Sequence, residues 1–506
     1  MLKLFGGAKP DHPLADPKEA RKILDVIAAE DPFKALEELG HWLESVSGTE
    51  GFKPDHRSRL FLQIDEAAQS HVRKLSRQYL SSARLSKFQE GRLWTSVHDY
   101  WRHSALAFNG CAECYASGQK STDALKTPIA LISVRALRAL AQQMKWQCMR
   151  YGPFDQVLWS MLAKLYTQAE RRGFARQNIT VYPGDPGDSS AEQEFLRAAM
   201  LSASSPDGLL PMEIELAERL IAHFSASFGM VLEQQPDVAY WIDIAAGRPP
   251  LRLAKPPQRA PTLRFLAAGK AMKELEELNC KVKTSNAVPS GVNLGGSYDA
   301  AMVGDVSEHL LVYWSTQPPE RKHTRHRVKT RLTVVHGLEG VLKALGASGS
   351  REFDLLAAES WIVDNVSTGG FGAVVPHVQG EWLKIGCLLG LQPEGGSNWL
   401  LGVVRRFNRD TPQQGSVGIE TLAHSMLPVQ LRVGAAGSTG ILLDPRGMES
   451  AGEARIMLSP GVFIQGQNLE FERGDKQVLL LPQGTMELGE DYELLRCRPM
   501  LRDSAE

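Results

Sequence analysis

The chain has 506 residues, a net charge of -1, 43% hydrophobic and 23% charged residues. That length exceeds one hydrophobic core and predicts about three or four domains, while the near-zero charge excludes a global field for nucleic acid or anionic membrane. Six cysteines in so long a chain make no disulfide framework. With no apolar run of membrane-spanning length and no signal-peptide pattern in Met1-Leu2-Lys3-Leu4-Phe5-Gly6-Gly7, the expectation is a cytoplasmic protein that inserts in no membrane.

The first half reads as helical. Asp16-Pro17-Lys18-Glu19 is a helix start, with Asp as cap, Pro in the first turn and Glu three residues on, and Asp31-Pro32 repeats it. Leu36, Leu39 and Leu43 then fall at helical spacing. Further helices are predicted near 58–85, 92–117, 128–150, 154–173, 190–202 and 211–232, the 154–173 helix stopping at Gly173. No fixed period makes these a repeat array. They are expected to form a bundle or an irregular stack of helical hairpins over 13–245.

Prolines from Pro249 to Pro261 exclude helix and predict an extended connector, 246–317. Within it a helix is expected at about 262–279. A glycine loop at Gly291, Gly295 and Gly296 should follow, and then an apolar strand, His309 to Trp314.

After residue 318 short apolar runs broken by glycine turns replace helical spacing. Strands are predicted at 331–336, 361–366, 371–376, 383–390, 399–406 and 416–421, then at 428–433, 440–443, 454–458, 461–465, 468–472, 477–481 and 492–497. The stretch is too long for one small barrel and divides near residue 423. The fold class is therefore multidomain α+β: a mostly helical N-terminal half, a six-stranded β-barrel over 318–422 and a further C-terminal β domain over 423–506.

Two short segments carry the chemistry. Glu320-Arg321-Lys322-His323-Thr324-Arg325 contains Arg-x-x-x-Arg, and Asp364-Asn365-Val366-Ser367-Thr368-Gly369-Gly370 contains Asn-x-Ser-x-x-Gly between apolar residues. Arginine forks match the paired O6 and N7 acceptors of guanine, stack on purine faces and bind phosphate. An asparagine amide both donates and accepts, and a missing Cβ lets backbone approach a ligand closely. Alone, each motif is common; Arg327 to Arg331 repeats the first one within the same stretch.

In this order, in a β context, the pair resembles the ligand site of the PilZ family of bacterial cyclic di-GMP receptors. The strand pair from Trp399 to Arg406 and from Gly415 to Glu420 resembles a third PilZ feature. The resemblance covers about 318–422 and implies a barrel that binds cyclic di-GMP through Arg321, Arg325, Asn365, Ser367, Gly369 and Gly370. The interval between the motifs is long, and Gly346-Ala347-Ser348-Gly349-Ser350 reads as an inserted loop.

The plainer reading makes the cations a solvated strand edge that deters pairing, and Asn365 to Gly370 an ordinary hairpin turn. Cys111-Ala112-Glu113-Cys114 has zinc-ligand spacing, but no second ligand pair stands at recognised spacing, so buried helical cysteines are expected and no metal. Trp94, His98 and Trp101 read as core. No phosphate loop, nucleophile elbow or zinc-protease motif is present, nor the signatures of cyclic di-GMP synthases and hydrolases. The expectation is a second-messenger effector, not an enzyme, with no cofactor beyond its ligand. Its helical region would meet a protein partner, and no DNA or RNA is expected. The alternatives are an interaction scaffold whose barrel binds no nucleotide, an enzyme with its site in the helical half, and a nucleic-acid binder using the basic patch at 321–331.

Overall fold

A computed structural model describes residues 10–81, 85–118, 120–184, 187–317, 319, 323–346, 358–378, 382–434, 436–446, 452–473 and 476–503. The chain is a multidomain α+β protein. It divides into two compact units, one made of residues up to Pro319 apart from Tyr151–Pro153 and Asp207–Leu210, the other of those two short segments with Glu320–Glu506.

The first unit begins with α1 (Pro17–Ala28), α2 (Pro32–Gly48), α3 (Pro54–Ser81), α4 (Lys87–Ala116), α5 (Ile129–Cys148) and α6 (Val157–Arg171). The two Asp-Pro starts hold: Asp16 Oδ1 accepts from Lys18 N at 2.9 Å and Asp31 Oδ1 from Phe33 N at 3.0 Å, which satisfies amides left open at a helix start. Strands β1 (Ile179–Thr180) and β2 (Asp188–Ser189) form a small hairpin ahead of α7 (Ala191–Ala203) and α8 (Pro211–His223). Helix α5 is buried on nearly every side and includes Arg135 and Lys145. A buried cation is tolerated only when paired. Accordingly Arg135 donates to Asp65, Glu66 and the carbonyls of Leu62 and Val181, and Lys145 donates to Glu215 at 2.6 Å.

Four strands follow: β3 (Gly229–Val231), β4 (Val238–Asp243), β5 (Leu251–Arg252) and β6 (Leu263–Ala267), in the sheet order β3-β6-β4-β5. Three expectations fail here. The helix predicted to reach 232 stops at His223, because β3 pairs with β6. The helix expected over 262–279 is instead β6, five buried residues in a row, followed by α9 (Lys270–Ser285). A continuous apolar run suits an inner strand as well as a helix, and pairing on both edges decides it. Finally, the strand expected at His309–Trp314 is the end of helix α10 (Ala300–Trp314). Asp299 Oδ1 caps it through Ala301 N at 2.8 Å, and Val303, Val306, Leu310 and Trp314 form its buried stripe.

The second unit holds two closed six-stranded barrels. The first contains β7 (His326–His336), helix α11 (Gly337–Ala344), β8 (Glu359–Ser367), β9 (Gly370–Val375), β10 (Leu388–Pro393), β11 (Leu400–Arg409) and β12 (Gly415–Ala423). The second contains β13 (Met426–Val433), β14 (Ala436–Leu443), β15 (Ala454–Leu458), β16 (Leu469–Arg473), β17 (Lys476–Leu488) and β18 (Glu493–Asp503). The strand expected at 461–465 is not one; the chain turns there at Gly461 and Gly466, both with positive φ. Of the loop expected at 346–350, Gly346 ends α11 in the left-handed region and the rest lies outside the described residues.

The two barrels share one topology. Counting strands within each, both run 1-2-3-6-5-4 around the ring, so the second repeats the architecture of the first. Closure removes open sheet edges from both. Trp361, Leu332, Val363, Val404 and Phe407 fill the first core, to which Tyr151 adds its ring, and Leu431, Ile456, Phe471, Leu480 and Leu495 fill the second. A third cluster joins them: Leu338 and Val341 of α11 with Val403 on one side, and Ile441, Met457, Tyr492 and Leu494 on the other.

Candidate functional site

The site lies at one end of the first barrel, where β7 begins and β8 turns into β9. Strand β7 is polar and exposed over its first half and buried over its second, at Leu332, Val334 and Val335. Its exposed half therefore projects a basic strip, Arg325, Arg327, Lys329 and Arg331, all exposed. Arg325, Arg327 and Lys329 have no ion-pair partner among the described residues, whereas Arg331 Nη1 donates to Ser360 Oγ at 3.3 Å.

Pairing fixes what this strip faces. His326 lies opposite Val366 and Arg327 opposite Asn365. Arg325, one residue beyond the last ladder pair, is thus level with Ser367. The β8–β9 hairpin closes through Thr368 and Gly369, with Ser367 opposite Gly370 and Asn365 opposite Gly372. A bulge between Val363 and Asn365 inserts Asp364 and shifts the alternation of faces just before Asn365.

Of the two turn glycines, Gly370 is sterically required. Gly370 has φ +154, and a Cβ there would stand 1.9 Å from the carbonyl oxygen of Ile419 on β12. Thr421 N donates to Gly369 O at 3.0 Å and ties the turn to the same strand. A Cβ on Gly369 would lie 2.5 Å from His323 Cδ2, so the His323 ring covers the face of that glycine. A Cβ on Gly372 would lie 2.4 Å from Asn365 Nδ2, so the amide of Asn365 rests across Gly372. Ser367 Oγ makes only a long contact to Gly370 O, 3.4 Å, and Asn365 Nδ2 donates to Asp364 Oδ2 at 3.2 Å. These weak local bonds leave both side chains free to exchange partners.

The structure brings Arg325, Asn365, Ser367, Gly369 and Gly370 together around one hairpin. Arg321 lies outside the described residues. His323 and Gly372 were not singled out from sequence. His323 stands between the two arginines of the first motif, and Gly372 follows the motif glycine by two, but only the strand register shows what each touches.

The arrangement offers guanidinium forks, an amide, a hydroxyl and bare backbone around one hairpin, with Asp364 as its exposed acid. Those donors suit a planar base and phosphate oxygens. The second barrel does not repeat them. Ser425 precedes β13 where Arg325 precedes β7, and after β14 the chain enters the left-handed region at Asp444 where β8 meets Thr368 and Gly369.

Elsewhere, Cys111 and Cys114 lie on α4, and burial pushes the Cys111 thiol up to about 12, away from thiolate chemistry. Among the described residues no three or more His, Cys, Asp or Glu side chains are grouped so as to hold a metal ion, and no helix is long and apolar enough to cross a membrane.

Residues 18–233 match the family model described as the N-terminal domain of the cyclic-di-GMP receptor FimW. The matched segment is the helical part of the first unit, not the barrel that carries the site. No curated protein matches the chain.

Proposed function

We propose that the chain is a bacterial cytoplasmic receptor for cyclic di-GMP, that its first barrel is a PilZ domain, and that it makes or cuts no nucleotide. Arg321 and Arg325 grip a guanine edge and phosphate, Asn365 and Ser367 hydrogen-bond the base and ribose-phosphate, and Gly369 and Gly370 let the ligand approach the backbone. The helical region passes the signal to a protein partner. The observation that carries the reading is the register: Arg325 level with Ser367, beside a turn whose Gly370 leaves no room for a side chain against β12. Two further facts support it. The barrel is closed and six-stranded, as the resemblance implies, and the helical part matches the family model described as the N-terminal domain of a cyclic-di-GMP receptor.

Mechanistically, the segment ahead of β7 is rich in like charges. Binding an anionic ligand would neutralise and order it, changing what the barrel presents. Equilibrium dialysis with cyclic di-GMP, GMP and cyclic di-AMP tests the assignment. Cyclic di-GMP alone should be retained at micromolar protein; equal retention of cyclic di-AMP, which lacks the guanine O6 acceptor, would contradict it.

A further inference from the structure

The helical unit carries a groove that the nucleotide reading leaves unused. It follows the seam between α2 and α4 and encloses about 560 Å³. Its lining includes Gly40 and Gly91, one glycine from each helix, with Thr95 and Ser96. Phe33 and Phe88 form its walls, and Phe88 is 74% exposed, an unusual place for a large aromatic. Ser96 is only 8% exposed, and its hydroxyl has no hydrogen-bond partner. Such a group is costly unless something arrives to pair it.

Shape and charge narrow the occupant. Lining residues recur along α4 from Lys87 to His103, a run of about 24 Å at the helical rise. That is the length of an elongated ligand rather than a compact metabolite. The rim is cationic. Arg92 lies flat on Phe33 at 3.9 Å and Arg150 on Trp94 at 4.2 Å, so each guanidinium is held by a ring and has no carboxylate partner among the described residues. Lys87 adds a third positive charge. Of the acids, Asp99 is taken up by His98 at 3.1 Å and Arg102 at 3.6 Å, leaving Glu37.

We propose that this groove receives an acidic amphipathic helix of a partner protein. Its apolar stripe would pack on Phe33 and Phe88 over the two glycines, and its carboxylates would meet Lys87, Arg92 and Arg150. The inference supplies the partner in the reading above and stands on residues of the helical unit alone.

Fluorescence anisotropy of the full chain, with no nucleotide present, tests it. The probe is a fluorescein-labelled helical peptide of about 18 residues, leucine at i, i+3, i+4 and i+7 and glutamate elsewhere. Its twin carries lysine for every glutamate. The glutamate peptide should bind saturably, and the lysine twin at least about tenfold more weakly. Phe88→Ser should weaken the glutamate peptide about tenfold. Arg92→Glu should do the same and strengthen the lysine twin, a reversal that mere structural damage cannot produce. Unchanged circular dichroism of both exposed-site variants confirms folding. Absence of saturable binding, equal affinity for the two peptides, or indifference to both substitutions overturns the proposal. Because nucleotide is left out, failure here says nothing against the barrel site, and failure of nucleotide binding says nothing against the groove.

Discussion

The ring of His323 lies against Gly369, on the space a Cβ would fill, with Cδ2 2.5 Å from that position. One residue of the basic segment is thus docked onto the glycine turn that the second motif supplies. The contact links the two halves of the candidate site, which are far apart in sequence.

Gly369 and Gly370 should respond differently to alanine. At Gly370 the new methyl would meet the Ile419 carbonyl, which is backbone of β12 and cannot retreat. Gly370→Ala should destabilise the barrel by about 2–4 kcal/mol, read by urea unfolding. At Gly369 the obstacle is a side chain on an exposed segment, so Gly369→Ala should displace His323 at less than about 1 kcal/mol. A barrel equally unstable in both variants would contradict this geometry.

Gly372 supports Asn365 by leaving room for its amide. Gly372→Ala should push that amide off its position and weaken cyclic di-GMP binding by about tenfold, the value of one or two hydrogen bonds. The unfolding midpoint should hardly move. Asn365→Ala should cost as much, and the double variant should cost no more than either alone; additive losses would show that the two residues act separately.

Much of this architecture could be read in advance, for physical reasons. The Asp-Pro caps at Asp16 and Asp31 are local and gave helix starts that tertiary packing had no cause to override. The hairpin that carries Asn365, Ser367, Gly369 and Gly370 was legible because its motif sits within a few residues of a turn. The sheet of β3 to β6 was not legible. Leu263 to Ala267 is apolar at every position, so its period distinguishes neither helix nor strand, and the partners that decide it are distant in sequence. His309 to Trp314 misled in the opposite sense, since its apolar run conceals a stripe that begins at Val303. His323 and Gly372 depend on cross-strand register, which no local pattern carries.

The helical unit should lose stability in acid. Burial alone would raise the Glu194 carboxyl, but the Arg138 and Arg197 guanidiniums beside it, with Ser189, outweigh burial and hold it at about 2, below its ordinary 4.5. A carboxyl lowered on folding stabilises above its unfolded value and loses that contribution as pH falls toward the folded one. Stability should therefore drop between about pH 5 and pH 2, by roughly 3 kcal/mol from this group. Glu194→Gln should flatten that part of the profile and cost about 3 kcal/mol at neutral pH, since Arg138 loses its carboxylate partner and Arg197 keeps only Glu218. Asp65 has the opposite sign: burial raises its carboxyl despite Arg135 and Tyr100, so this group favours the fold more as pH falls. An acid limb unchanged in Glu194→Gln would refute the assignment.

The two barrels should be coupled through Arg405. Its guanidinium donates to Glu487 at 2.8 and 2.6 Å and to Glu420 at 2.7 Å, and Tyr492 donates to Glu487 at 2.6 Å. Arg405 remains 40% exposed, so screening limits the interaction. A double-mutant cycle of Arg405→Ala and Glu487→Gln should return about 1 kcal/mol of coupling, decreasing in high salt. Zero coupling would leave the apolar cluster around Met457 and Leu494 as the joint between the barrels.

The most direct test of the account is calorimetric titration of cyclic di-GMP into the full chain and into Arg325→Ala. Each bidentate arginine–guanine contact is worth about 1–3 kcal/mol, so the wild type should bind saturably and the variant about tenfold to a hundredfold more weakly, with Ser367→Ala between them. No heat of binding in the wild type, or equal affinity in all three proteins, would contradict the receptor assignment.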